Sequence, residues 1–140
     1  MQSQRLFLIE DARSLIGQIK YKRYRGPLHG QDSEKGLNCY GYIDFVAARN
    51  GAHLPRGIIE MWERMEPADK PQVADLVFYN GRHHGRPSHV GFYDSRTETL
   101  VHLSKQIGTV AESRILDTGP VMGFRSVENY LRDFHERERI

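Results

Sequence analysis

The spacing of apolar residues changes period once along this chain, at Pro71, and that change limits the fold more than any other feature. Before it the pattern is helical. Residues 5–16 place Leu6, Ile9, Ala12 (or Arg13) and Ile16 along one face, with Gly17 as a stop. Residues 38–51 predict a second helix, capped by Asn38 and closed by Asn50-Gly51, with Cys39, Tyr42, Ile43 and Val46 on one side. A short third helix is predicted around 58–65, after Pro55. Beyond Pro71 the segments 75–79, 88–93, 98–104, 108–112 and 120–127 are rich in β-branched and aromatic residues, with turn signals between them. The tail, 127–137, returns to helical spacing through Val127, Tyr130, Leu131 and Phe134. Helices first and strands second predict an α+β domain built on an antiparallel sheet.

Length and composition agree with one such domain over residues 1–140: 39% of the 140 residues are apolar, enough for a real core. The net charge of +2 and the scattered basic residues argue against a nucleic-acid partner, and the cluster Lys20, Lys22, Arg23, Arg25 reads as a solvated loop. The longest apolar runs, such as Leu6-Phe7-Leu8-Ile9, are far too short to span a bilayer. The first residues lack the basic, apolar, small-residue order of an export signal. A single cysteine excludes an intrachain disulfide framework and any CxxC metal or redox site.

That cysteine falls where a helix N-terminus would point free N–H groups at its sulfur, a position expected to lower the thiol pKa and favour thiolate. Gly41, two residues on, leaves room for close approach. Two histidines sit on neighbouring predicted strands. His89 shares its face with Gly91 and Tyr93, and His102 shares its face with Leu100 and Ser104. A four-residue hairpin loop at 94–97 would set Tyr93 opposite Glu98 and His89 directly opposite His102, suited to a base and its orienting partner.

These residues resemble a known family. Asn38-Cys39-Tyr40-Gly41-Tyr42-Ile43 is similar to the Asp-Cys-Ser-Gly-Phe-Val signature of NlpC-type bacterial cell-wall cysteine peptidases, which have a papain-like fold. Asp75-Leu76-Val77-Phe78-Tyr79 resembles the family's Gly-Asp-Leu-Val-Phe-Phe strand, Ser88-His89-Val90-Gly91-Phe92-Tyr93 its Gly-His-Val-Gly-Ile-Tyr strand, and Val101-His102-Leu103-Ser104 its Phe-Ile-His-Ala-Ser strand. Leu54-Pro55-Arg56 matches a short segment after the cysteine helix. The ordered set covers roughly residues 5–127.

The resemblance implies a papain-like α+β fold with the nucleophile helix packed on an antiparallel sheet. It implies Cys39 as nucleophile, His89 as general base and His102 as orienting residue, and cleavage of an amide in the peptide stem of peptidoglycan without metal or other cofactor. The family also often carries a tyrosine upstream near the site, for which Tyr21 and Tyr24 are both candidates. Tyr40 and Tyr93 complete the expected substrate-binding set. The chain departs from the pattern at Asn38 and Tyr40, which alter the rim of the nucleophile, and at Val73-Ala74, where the family writes Pro-Gly.

Rival readings keep the thiol set on another substrate, as an acyltransferase or non-wall amide hydrolase, or make the chain a catalytically silent wall-binding module. His83-His84 with His89 lack any metal motif and read as loop or rim residues. Asp75 reads as a structural hydrogen-bonding residue at a strand start, and Trp62 as packing. A wall enzyme would act in the periplasm or at the cell wall after delivery. Pro55-Arg56-Gly57 is similar to amidase effectors of this fold, for which a cognate immunity protein would be the expected partner.

Overall fold

A computed structural model describes residues 2–23, 36–80 and 85–131. Three helices precede the sheet: α1 (Gln2–Ser14), α2 (Cys39–Arg49) and α3 (Ile58–Arg64). The strands are β1 (Leu76–Asn80), β2 (Pro87–Asp94), β3 (Thr99–Leu103), β4 (Val110–Arg114) and β5 (Val121–Arg125), with a single helical turn, α4 (Ile115–Thr118), between the last two. The sheet runs β4-β3-β2-β1-β5, every pair antiparallel. A further helical turn begins over 128–131. This is the α+β architecture expected, with the period change at Pro71 marking the passage from helices to sheet.

The alternation along each strand decides what the helices meet. Val90, Phe92, Val101 and Leu103 turn to the helical side and are fully buried with Leu8, Ile9, Tyr42, Ile43 and Val46. Tyr42, at the centre of α2, packs edge-on against Phe92 and donates its hydroxyl to Ala12 O at 2.7 Å, locking α2 to both α1 and the sheet. The opposite face carries a smaller apolar group, Val77, Tyr79 and Leu100, with Tyr93, Ile115 and Phe124 against it.

A buried ion pair closes the far end of the core. Arg5 on α1 is 1% exposed, and its Nη1 donates to Asp75 Oδ1 at 2.7 Å and to Val73 O at 3.0 Å. Asp75 also accepts from the backbone N–H groups of Val127 and Gln72, and Glu128 accepts from the remaining face of the guanidinium. The structural role expected for Asp75 is the one seen. Just before it, Ala74 takes a left-handed φ of 72°, at the position where the family pattern has glycine.

The β2–β3 register differs from expectation by two residues. Tyr93 pairs with Leu100 and Asp94 with Thr99, so Tyr93 does not face Glu98 and His89 does not stand directly opposite His102. The cause lies in the hairpin. Buried Asp94 accepts from Arg96 N at 3.0 Å and through its carbonyl from Glu98 N at 2.9 Å, and Glu98 adopts a φ of 55°. Asp94 thus closes the turn from within the ladder, and the loop moves on by one residue. A slip of two keeps every side chain on its original face.

Candidate functional site

Cys39 is the first residue of α2. Asn38 is extended, and its Oδ1 accepts the Gly41 N–H at 2.8 Å, so the polar cap starts the helix with the sulfur at its N-terminus. The cysteine is 8% exposed. Backbone N–H groups of Val90, Tyr40 and Cys39 itself favour the charged sulfur. Here the structure corrects the sequence expectation of a thiolate: burial outweighs those N–H groups and pushes the thiol up to about 11. The resting group is a thiol.

His89 and His102 lie diagonally across the β2–β3 ladder. The offset still brings the rings together: His89 Nε2 and His102 Nδ1 are 2.6 Å apart, with the rings close to perpendicular. Gly91 makes this possible. A Cβ at that position would stand 2.6 Å from Leu100 Cδ1 and 3.1 Å from His102 Cβ, so any side chain there would push Leu100 aside and crowd His102. The far nitrogen of His102, Nε2, lies 2.8 Å from Ser113 Oγ on β4. Burial pulls His89 down to about 4; burial and the neighbouring His89 pull His102 down to about 3. Both imidazoles are neutral at pH 7, and the pair shares one hydrogen.

Tyr21, Cys39, Ser88, His89, His102 and Ser113 share the wall of a cavity of about 530 Å³. Tyr21 is held there by backbone bonds from neighbouring segments: its N–H donates to Gly108 O at 2.9 Å, and on either side of it Leu37 N donates to Lys20 O while Leu37 O accepts from Lys22 N. Burial raises its phenol pKa, and the negative charge of an ionised Cys39 raises it further, which marks the two groups as electrostatic neighbours.

The other expected substrate-binding residues are elsewhere or outside the description. Tyr40, the second residue of α2, is half-buried against the core. Tyr93 stacks edge-on with Phe124 at 5.0 Å and lines a second cavity with Ile115 and Leu116. Tyr24, His83 and His84 lie outside the described residues. Among the described residues no cluster of three or more His, Cys, Asp or Glu side chains could hold a metal ion. Ser113 escaped sequence reasoning because the predicted strand ended at Glu112. Continuing that strand by one residue in strict alternation would have placed it on the face of Ala111, the residue paired with His102.

A profile of the NlpC/P60 family matches residues 22–120, and the chain belongs to that family, whose members are generally cysteine peptidases acting on peptidoglycan. No curated protein matches the chain by sequence. Among solved structures, the fold is similar to the peptidoglycan hydrolase RipB of Mycobacterium tuberculosis, with a TM-score of 0.68 and 24% identity over 90% of this chain and 65% of that one. It is also similar to the P60 domain of an antigen of M. avium subspecies paratuberculosis, at a TM-score of 0.69 and 24% identity over 89% and 94% of the two chains. NlpC1 of Trichomonas vaginalis superposes at a TM-score of 0.74 with 14% identity, over 89% of this chain and 44% of that one. The chain thus spans about two-thirds of RipB and less than half of NlpC1.

Proposed function

We propose that the chain is a cysteine endopeptidase or amidase that hydrolyses an amide bond in the stem peptides of peptidoglycan, with Cys39 as nucleophile, His89 as general base and His102 as its orienting partner. The observation that carries this reading is the 2.6 Å contact between His89 and His102 in the cavity that also holds Cys39. With Nε2 of His89 engaged by His102, Nδ1 remains to take the proton of the thiol. The resting state is a neutral thiol beside a neutral imidazole, so proton transfer accompanies attack on the substrate carbonyl. The sulfur–carbon bond forms as the S–H proton passes to His89. The oxyanion is held by backbone N–H groups at the start of α2. His89 then returns that proton to the leaving amine, and water, activated by the same imidazole, releases the acyl group from sulfur.

Tyr21 is the upstream tyrosine supported by position, since it shares the cavity with Cys39. The reading treats the chain as one catalytic domain, because its own helix and sheet supply both walls of the cavity. No helix among the described residues is long and apolar enough to cross a membrane, and the proposed place of action is the cell wall. The test is incubation with purified muropeptides, with products identified by mass spectrometry. New fragments from a cut within the stem peptide, absent with Cys39→Ala, are expected. Intact muropeptides alongside turnover of another amide or an acyl donor would replace the wall substrate with one of the rival readings. A chelator should leave the rate unchanged, whereas alkylation of Cys39 should abolish it.

A further inference from the structure

We propose that Ser113 is a positioning residue that sets the direction of the His89–His102 hydrogen bond by accepting the Nε2–H of His102. The inference rests on the reading of Cys39 and His89 as the reacting pair, and it concerns a residue on a third strand that touches neither.

A neutral imidazole carries one N–H, so two neutral rings joined across 2.6 Å have one hydrogen between them and two ways to place it. In the first, His89 Nε2–H donates to His102 Nδ1. The hydrogen of His102 then sits on Nε2 and needs an acceptor, which Ser113 Oγ provides at 2.8 Å. His89 Nδ1 is left bare and can receive the proton of the thiol. In the second, His102 Nδ1–H donates to His89 Nε2, and the hydrogen of His89 sits on Nδ1. That ring cannot act as a base toward Cys39.

A serine hydroxyl tolerates both arrangements in the resting state, but not after proton transfer. Once His89 is protonated, both of its nitrogens carry hydrogen. His102 Nδ1 must accept, its Nε2–H must donate, and an oxygen at position 113 must receive it. Ser113 is therefore matched to the charged state through which the reaction passes. The fold supplies the placement: β4 pairs His102 with Ala111 and Leu100 with Ser113, so Ser113 reaches His102 along the same diagonal that joins His102 to His89. Other charged groups line the cavity, namely Lys105, Glu112, Arg114 and Asp117. Glu112 is turned away, accepting from Arg13 at 2.9 Å and Thr99 at 2.7 Å. The partner of His102 Nε2 is the serine.

Nitrogen-15 NMR of the histidine rings, with the rate of Cys39 alkylation by iodoacetamide, tests this without any substrate. The wild type should show a bare Nδ1 on His89 and hydrogen on Nε2 of both rings. Ser113→Ala should mix the tautomers of both rings and slow alkylation by about three- to tenfold, the loss of one part-buried hydrogen bond. Ser113→Thr, which keeps the oxygen on a strand that favours β-branching, should restore both signals. A wild-type spectrum with hydrogen on Nδ1 of both rings overturns the proposal, as does a Ser113→Ala protein with unchanged tautomers and alkylation. His89→Ala separates the two levels. If it leaves alkylation untouched, the reacting pair and the role of Ser113 fall together. If it slows alkylation while Ser113→Ala does not, only Ser113 falls.

Discussion

Two buried polar pairs hold opposite ends of this molecule, and they handle charge in opposite ways. Arg5 and Asp75 are both nearly inaccessible, and every charged atom is matched by a partner charge or by backbone N–H and carbonyl groups. The price of burial is met there by full pairing, so the charges persist and tie α1 to the sheet. His89 and His102 are joined by an equally short contact, yet among the described residues no carboxylate bonds to either ring, and burial keeps both uncharged. Cys39 follows the same rule, its thiol held protonated by burial. A fully matched pair stabilises one state. A pair left neutral in a low-dielectric pocket can change protonation when a substrate arrives, which is the property a proton-transfer site needs.

The sharpest way to break this contrast is to remove one group from each end. Cys39→Ala should abolish turnover while leaving the melting temperature close to wild type, because the sulfur contributes little to packing beyond its own volume. His89→Ala should reduce turnover by about 10²–10⁴-fold, the usual worth of a positioned base. Asp75→Ala should do the reverse, destabilising the fold by about 3–5 kcal/mol, because buried Arg5 Nη1 loses its carboxylate and the N–H groups of Gln72 and Val127 lose their acceptor, with turnover per folded molecule retained. Urea unfolding and single-turnover kinetics on the same three proteins decide it. A large stability loss in His89→Ala, or a turnover loss in Asp75→Ala at temperatures where it is folded, would erase the distinction.

His102 comes next in size. Its loss should cost about 10–100-fold in turnover, less than loss of His89, since it acts by fixing the tautomer and direction of that ring. His102→Asn can keep one hydrogen bond and should fall between wild type and alanine. Near wild-type turnover in His102→Ala would remove it from the site.

The histidine pair was legible in the sequence because parity is a robust property of strands: an error of two residues in register left both rings on one face. The register itself was not legible, since it depends on Asp94 closing the hairpin with its own side chain. The helix face of Cys39, Tyr42, Ile43 and Val46 and the cap at Asn38 were readable from spacing alone. The protonation state of Cys39 was not, because the local helix terminus argues for thiolate and only the packed sheet supplies the burial that overrides it. Ser113 fell one residue beyond the predicted end of its strand, where boundaries are least certain. The partners of Asp75 are far apart in sequence, so pairing could be expected but not assigned.

Acid stability probes the neutral pair more gently. Burial lowers the pKa of His89 in the folded state from an ordinary 6.5 to about 4. Between those values the unfolded chain binds a proton at this residue that the folded chain does not, so stability rises with pH through the window and is lost as pH falls through it. His102, also lowered, adds a contribution of the same sign. Removing His89 should therefore flatten the dependence of unfolding free energy on pH between about 6.5 and 4. Urea midpoints across that range would show it, and identical slopes in wild type and His89→Ala would mean that the ring is already charged in the folded protein.

The smallest effect is expected beside the matched pair, at Ala74. Its φ of 72° lies in the left-handed region, which costs an L-residue with a Cβ about 1–2 kcal/mol. The conformation is held because Ala74 N donates to Tyr93 O at 2.7 Å and the chain must then turn so that Asp75 can reach Arg5. Ala74→Gly removes that strain. Against it stand the greater freedom of glycine in the unfolded chain, about 0.5–1 kcal/mol, and the loss of one buried methyl, about 0.8 kcal/mol. The terms nearly cancel, and the unfolding free energy should change by less than about 0.5 kcal/mol, within the range of a neutral substitution. Ala47→Gly, equally buried but in the interior of α2, has no strain to relieve and should cost about 2 kcal/mol from lost helix propensity and the lost methyl. Urea unfolding of the two variants isolates the backbone term. Equal losses would show that Ala74 carries no strain and that the matched pair is reached without cost to the backbone.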